Sequence, residues 1–157
     1  MEVFGKATIN PFIFYSGKII GYFTWIGLLL AILHIEIIPK CSFTFSYYIS
    51  YGLLISGLLL ALTSLIQLGR STRFGLPTRK TMFRTSGIYR FSRNPMYLGF
   101  DLITIASMIY FLTPLIIIPG IYSITVYHFI ILGEEKYLET AFGEDYREYK
   151  SKVRRYI

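Results

Sequence analysis

Two uninterrupted apolar runs constrain this chain more than any other feature. Ile19 to Ile38 carries charge only at Glu36, and Tyr47 to Leu68 is uncharged throughout. A helix needs about 20 apolar residues to cross the hydrocarbon core of a bilayer, and each run is that long. Two further runs follow, Tyr97 to Leu112 and Leu115 to Leu132, separated by Thr113-Pro114. The third is short for a full crossing, and Pro119-Gly120 interrupts the fourth. These two are expected to form a tight helical hairpin, with Pro114 in the turn and Pro119 in a kinked first turn.

Composition agrees with that reading. Of 157 residues, 54% are hydrophobic and the mean hydropathy is +0.51, values that a soluble domain of this length rarely reaches. The expected architecture is all-α: one membrane-embedded domain over residues 1–157, polytopic, with spans near 19–38, 47–68, 97–112 and 115–132. A loop at 69–96 and an amphipathic helix at 133–155 complete it. The first run is too long for a signal-peptide core, and no small-x-small cleavage site follows it. The single cysteine, Cys41, excludes an internal disulfide framework and reads as a bystander thiol.

Charge orients the spans. From Gly69 to Pro95 the chain holds Arg70, Arg73, Arg79, Lys80, Arg84, Arg90 and Arg93 and no acid, and the tail beyond Leu132 is also rich in lysine and arginine. With four spans, these two segments share one face with the N-terminus. The positive-inside rule places that face in the cytoplasm. Arg70, Arg73 and Arg79 suit a topology signal that also touches anionic lipid headgroups. Nothing in the chain resembles a nucleic-acid module, and no metal centre is expected.

The stretch Thr85 to Gly99 combines basic residues, a glycine and aromatics directly against a span. Asn94-Pro95 is a helix-start signal: Asn is a good N-cap, and Pro fits N1 because it lacks the N–H that would be orphaned there. The free N–H groups around Met96 and Tyr97 then favour an anion such as a carboxylate. Gly87 permits a positive φ or a close backbone approach. Tyr89 and Tyr97 offer ring faces and hydroxyls. After the hairpin, Glu134 and Glu135 stand at the membrane edge, where an acid must be solvated, paired or liganding. Pairing with Arg84, Arg90 or Arg93 is one reading, and binding of a ligand ammonium is the other. An anion site facing a carboxylate suits a zwitterion such as an amino acid. Leu138, Phe142, Tyr146, Tyr149 and Val153 then recur at helical spacing, with Gly143 as a possible break, so this segment is expected to fold back over the basic loop.

The motifs Thr85-Ser86-Gly87-Ile88-Tyr89-Arg90, Arg93-Asn94-Pro95-Met96-Tyr97-Leu98-Gly99, Glu134-Glu135 and Phe142-Gly143-Glu144-Asp145-Tyr146-Arg147-Glu148-Tyr149 resemble the isoprenylcysteine carboxyl methyltransferases. The related phospholipid N-methyltransferases share this plan. The resemblance covers about residues 47 to 157. It implies an integral membrane enzyme that uses S-adenosylmethionine (SAM), with Thr81, Met82, Phe83, Arg84, Gly87, Tyr89, Asn94, Pro95, Met96, Tyr97 and Glu134 lining the cofactor pocket. SAM carries an amino-acid zwitterion, in accord with the site read from charge and capping. The family commonly has His before Pro where this chain has Asn94, which cannot titrate. Some relatives carry an arginine for the substrate carboxylate four residues before the cofactor-binding glutamate; that position is Ile130 here.

Methyl transfer from a sulfonium is an in-line displacement in which the enzyme mainly aligns the nucleophile and excludes water. A carboxylate acceptor needs no base, whereas an amine or thiol must lose a proton. The candidate bases are Asp101, one helical turn from Tyr97, and His128, in the fourth span before Glu134. Ionisable groups inside a membrane are functional candidates by default. The acceptor is expected to be lipophilic and to enter sideways between helices, or to be a small thiol. The alternatives are a phospholipid N-methyltransferase, a thiol S-methyltransferase, an NADPH-dependent membrane reductase and a non-enzymatic membrane scaffold.

Overall fold

The computed structural model describes residues 9–68 and 84–157. Among them there are five α-helices and no strand: α1 Pro11–Ile32, α2 Thr44–Leu68, α3 Pro95–Phe111, α4 Pro114–Phe142 and α5 Glu144–Lys152. A 3-10 turn, Gly87–Arg90, precedes α3. α1, α2 and α4 are each long and apolar enough to cross a membrane, and α3 is a shorter apolar helix. Ile19, Leu59 and Ile66 are 60–77% exposed on the outside of the bundle. Those side chains belong in lipid, and the chain is a multi-pass membrane protein.

The first helix is displaced from the expected 19–38. It begins at Pro11, where the Asn10 side chain accepts from Phe12 N–H at 2.9 Å and Pro occupies N1. It ends at Ile32, and His34 then takes a left-handed φ of 62°. The apolar residues after it are not helical. Ile38 instead packs against the Leu28, Phe111 and Ile116 cluster at that end of the bundle.

The fourth helix also departs from expectation. α4 runs through Pro119-Gly120 and Gly133 and stops only at Phe142. Pro119 lies close enough to the N-terminus that its missing N–H removes a single early bond. A lone glycine such as Gly133 costs a helix only about 1 kcal/mol. The expected 133–155 helix is accordingly split, its first part continuing α4 and its second forming α5. The break is at Gly143, which has a φ of 54°. At about 1.5 Å per residue, the 29 residues of α4 span roughly 43 Å, well beyond a ~30 Å hydrocarbon core. Its last turns therefore project past the bilayer.

The connection between α3 and α4 is the expected tight hairpin. Leu112 turns left-handed (φ 49°), its N–H bonds Met108 O, and Pro114 is at N1 of α4.

α3 is central, packing on α2, α4 and α1, while α1 also packs along α4. Between apolar helices in lipid the hydrophobic effect gives little drive, so small residues and hydroxyls make the interfaces. A Cβ on Gly57 would lie 2.8 Å from the Gly99 carbonyl oxygen, so only glycine lets α2 and α3 approach this closely. Ser50 Oγ donates to Ala106 O at 2.7 Å across the same interface. Ser107 Oγ donates to Thr24 O at 2.8 Å between α3 and α1, and Ser123 Oγ donates to Gly17 O at 3.0 Å between α4 and α1. These contacts run α1 antiparallel to α4 and α2 antiparallel to α3. The start of α1, the end of α2, the start of α3 and the Glu134 turn of α4 therefore meet at one end of the bundle.

Candidate functional site

At that end the chain between α2 and α3 is organised by a residue outside the motif. Gln67, in the last turn of α2, accepts the Ile88 N–H on its Oε1 at 2.8 Å. Gly87 has a φ of 66°, and a Cβ there would sit 2.2 Å from the same oxygen. Glycine is thus required twice over, by its dihedral and by its contact. The 3-10 turn that follows buries Tyr89 and leaves Arg90 and Phe91 exposed. α5 folds back on this turn, as expected, with the Tyr149 hydroxyl donating to Tyr89 O at 2.6 Å. Burial, followed by the nearby Glu134 charge, pushes the Tyr89 hydroxyl up to about 12. It is therefore a neutral donor at physiological pH.

The Asn94-Pro95 step starts α3 at Pro95, but the Asn94 side chain does not cap it. Asn94 N–H is taken by Ser92 Oγ at 3.1 Å. The side-chain amide instead donates to Glu135 Oε1 at 3.2 Å and to Arg155 O at 3.4 Å. The buried Glu135 carboxylate takes the Nδ2–H donor, and in the orientation that this bond fixes Oδ1 accepts no N–H from the helix start.

Glu135 is the centre of a clamp. Arg93 donates to its Oε1 through Nη2 at 3.0 Å and Nε at 3.2 Å, while Arg155 donates to Oε2 at 3.0 and 3.2 Å. The Glu135 and Arg93 side chains are only 5% and 8% exposed. Arg93 Nη1 also donates to Val153 O at 2.6 Å. The basic-loop pairing anticipated for one of the two acids therefore falls on Glu135 and Arg93. Arg84 and Arg90 are exposed.

Glu134 faces elsewhere. The Tyr97 hydroxyl donates to its Oε1 at 2.7 Å. Tyr97 is buried at the start of α3, where the Met96 and Tyr97 N–H groups precede the first intrahelical bond, Leu98 N–H to Asn94 O at 3.0 Å. Tyr89 and Lys18 are both within electrostatic reach of Glu134. Lys18 is part-buried in α1 with its Nζ 4.0 Å from the Phe14 ring centroid. It was missed because the first span was expected to begin at Ile19. The signal was present, since Asn10-Pro11 repeats the dipeptide read as a helix start at Asn94-Pro95.

The structure thus gathers Gly87, Tyr89, Asn94, Pro95, Met96, Tyr97 and Glu134 at one end of the bundle. Thr81, Met82 and Phe83 lie outside the described residues, and Arg84 is an exposed residue at their border. Asp101 and His128 sit deeper. Asp101 Oδ1 is buried and has no hydrogen-bond partner among the described residues. His128 Nδ1 lies 2.6 Å from the Tyr156 hydroxyl. Tyr97, Phe100 and Tyr127 form an aromatic cluster beside them, with ring centroids 5.7–6.1 Å apart. Ile130 is fully buried in the same core cluster. Gln67, Lys18, Arg155 and Tyr156 are the neighbours that sequence reading did not single out.

The chain is similar to several known proteins. The protein-S-isoprenylcysteine O-methyltransferase of Schizosaccharomyces pombe is 28% identical over 120 residues, covering 71% of this chain and 50% of that protein. The protein-S-isoprenylcysteine O-methyltransferase B of Arabidopsis thaliana is 30% identical over 112 residues, covering 66% of this chain and 56% of that protein. The chain spans about half the length of these curated relatives. The solved structure of a eukaryotic intramembrane Ras methyltransferase, isoprenylcysteine carboxyl methyltransferase, superposes with a TM-score of 0.66 at 23% identity. It covers 95% of this chain and 53% of the other, so the two share a fold. A family model described as phospholipid methyltransferase matches residues 45–145. This chain belongs to the phospholipid methyltransferase family.

Proposed function

We propose that this chain forms the core of an integral membrane methyltransferase that binds SAM beside Glu134 and transfers its methyl group to a lipophilic acceptor. The observation that carries the reading is the division of labour between two adjacent acids. Glu135 is fully engaged by Arg93, Arg155 and Asn94, whereas Glu134 is held by Tyr97 at the mouth of the α3 N-terminus. A carboxylate and a set of helix N-terminal N–H groups side by side fit the ammonium and carboxylate of an amino-acid zwitterion. Family membership and the methyltransferase names of the relatives support the same reading.

In this proposal Glu134 takes the ammonium, and the Met96 and Tyr97 N–H groups face the carboxylate. Tyr89, Gly87, Pro95 and Met96 line the remainder, together with Arg84 and the expected Thr81, Met82 and Phe83. Asn94 supports the pocket through Glu135. SAM supplies an electrophilic methyl group, so the chain's own task is to align the acceptor and exclude water. Asp101 and His128, beside the aromatic cluster, are the groups available to an acceptor that must lose a proton. The long apolar helices suit lateral entry of that acceptor from the bilayer. The site end, with the 69–96 loop and both termini, faces the cytoplasm.

Thermal unfolding of the detergent-purified protein with SAM, S-adenosylhomocysteine or NADPH tests the donor. Stabilisation by both adenosyl ligands and not by NADPH is expected, growing by mass action to about 2.7 kcal/mol at a hundredfold excess over Kd. A folded sample unmoved by either adenosyl ligand overturns the reading. Labelled methyl transfer to a farnesylated cysteine and to phosphatidylethanolamine vesicles then separates carboxylate from amine acceptors.

A further inference from the structure

Beyond α5 the chain becomes extended at Val153 (φ −122°, ψ 132°), and residues 153–157 lie as a strap along the segment that precedes α3. Arg93 N–H donates to Arg154 O at 3.0 Å, and Arg93 Nη1 donates to Val153 O at 2.6 Å. Arg155 ties the strap at two points. Its guanidinium donates to Glu135 Oε2 at 3.0 and 3.2 Å. Its carbonyl accepts from Ser92 Oγ at 3.2 Å and from the Asn94 amide at 3.4 Å. Tyr156 then packs against the cluster that contains Tyr97 and Ile130.

The strap and Glu135 hold Asn94 through both of its nitrogens. The backbone N–H goes to Ser92 Oγ at 3.1 Å, and Nδ2 goes to Glu135 Oε1 at 3.2 Å as well as to Arg155 O. A carboxylate and a carbonyl oxygen only accept, so the side-chain atom that faces them is the amide nitrogen. The other Asn-Pro step in the chain behaves differently. Asn10 accepts Phe12 N–H at 2.9 Å and caps α1, whereas Asn94 makes no capping bond to α3. Proline occupies N1 in both helices, so the dipeptide does not explain the difference. What stands beside the start of α3 is Glu135 with the docked strap.

We propose that Arg155 is a positioning residue of the donor site: by docking the strap on Glu135 it holds the Asn94 amide away from α3 and keeps the Met96 and Tyr97 N–H groups uncapped for the ligand carboxylate. This rests on the methyltransferase reading above. An asparagine at a helix start ordinarily offers its oxygen to the second or third N–H of the helix, here that of Met96 or Tyr97. A ligand carboxylate uses those same donors, so a cap and the ligand compete for them. The docked strap removes that competition before the ligand arrives. Without Arg155, Asn94 is free to turn and cap α3 as Asn10 caps α1, and the ligand then has to displace it.

Two substitutions at one position test the competition while leaving Arg93 and Arg155 on Glu135. Asn94→Ser and Asn94→Ala both lose the amide bond to Glu135, but serine caps a helix and alanine does not. S-adenosylhomocysteine should therefore bind Asn94→Ser about fivefold more weakly than Asn94→Ala, the size of one cap, as read by calorimetry in detergent. Equal affinities, or tighter binding to Asn94→Ser, overturn the proposal. Arg155→Ala should also weaken binding, and adding Asn94→Ala to it should restore affinity. A strap that served stability alone would give a further loss in the double variant, and that result overturns the proposal too. Hydrogen exchange without ligand gives an independent reading. The Met96 and Tyr97 amides should exchange more slowly in Arg155→Ala than in the parent protein; equal or faster exchange overturns the proposal. If the folded parent binds no S-adenosylhomocysteine, the methyltransferase reading fails, and the exchange comparison still decides whether Arg155 keeps α3 uncapped.

Discussion

Glu135 and Glu134 stand side by side on α4, one turned to the Arg93-Asn94 corner and the strap, the other to Tyr97, Tyr89 and Lys18. Around Glu135 both oxygens accept charge-assisted bonds, and the strap and loop are tied through them. Glu134 instead accepts from a neutral hydroxyl, that of Tyr97. One region spends its charge on holding the end of the bundle together. In the proposed function the other keeps its carboxylate for the ammonium of the ligand. Adjacent acids in a motif therefore need not share a role, and the burial of their partners distinguishes them.

The sharpest way to break this contrast is Glu135→Gln. Removing one member of a buried ion cluster leaves Arg93 without its counter-charge, and roughly 3–5 kcal/mol of stability should be lost. Thermal or denaturant unfolding in detergent measures it. A loss no larger than that of an exposed pair would show that the clamp is not structural. Glu134→Gln should instead leave most of the stability intact, because the amide oxygen still accepts from Tyr97. It should raise the SAM Kd at least tenfold, about 1.4 kcal/mol, as read by calorimetry. Equal affinity in the two proteins would remove Glu134 from the site.

Gly87→Ala tests the loop that carries both partners. The left-handed φ costs an alanine about 1–2 kcal/mol, and the new Cβ collides with the Gln67 oxygen. Hydrogen exchange should rise at residues 87–91 and SAM affinity should fall several-fold while the Glu135 clamp persists. Unaltered exchange there would mean that Gln67 yields freely. The smallest effect is expected from Glu148→Ala. Glu148 pairs with Lys152 on the exposed face of α5, and exposed pairs of this kind contribute little. A measurable drop in the unfolding midpoint would mark α5 as more tightly coupled to the clamp than its exposure suggests.

Much of this site was legible in the sequence because its signals are local. The start of α3 at Pro95, the hairpin at Thr113-Pro114 and the break at Gly143 all follow from one or two residues with restricted backbones. The membrane-spanning character follows from apolar runs alone. Hydropathy placed α1 eight residues late and stopped α4 ten residues early, because apolar length measures what lipid covers and not where the helix ends. Gln67, Arg155 and Tyr156 left no mark in the sequence. Each matters only through a neighbour far away in the chain.

The two Asn-Pro steps show where that boundary falls. Asn10-Pro11 and Asn94-Pro95 both begin a helix, since proline at N1 has a helical φ and no N–H to lose; the sequence by itself determined that much. Asn10 caps its own helix. Asn94 gives its amide to Glu135 and to the strap, a choice that only the tertiary structure decided. A backbone restraint acts within one turn and is written in the dipeptide. A side chain's hydrogen-bond partner is fixed by whichever buried charge the packing of distant helices brings nearest, and here that charge comes from the far arm of the hairpin.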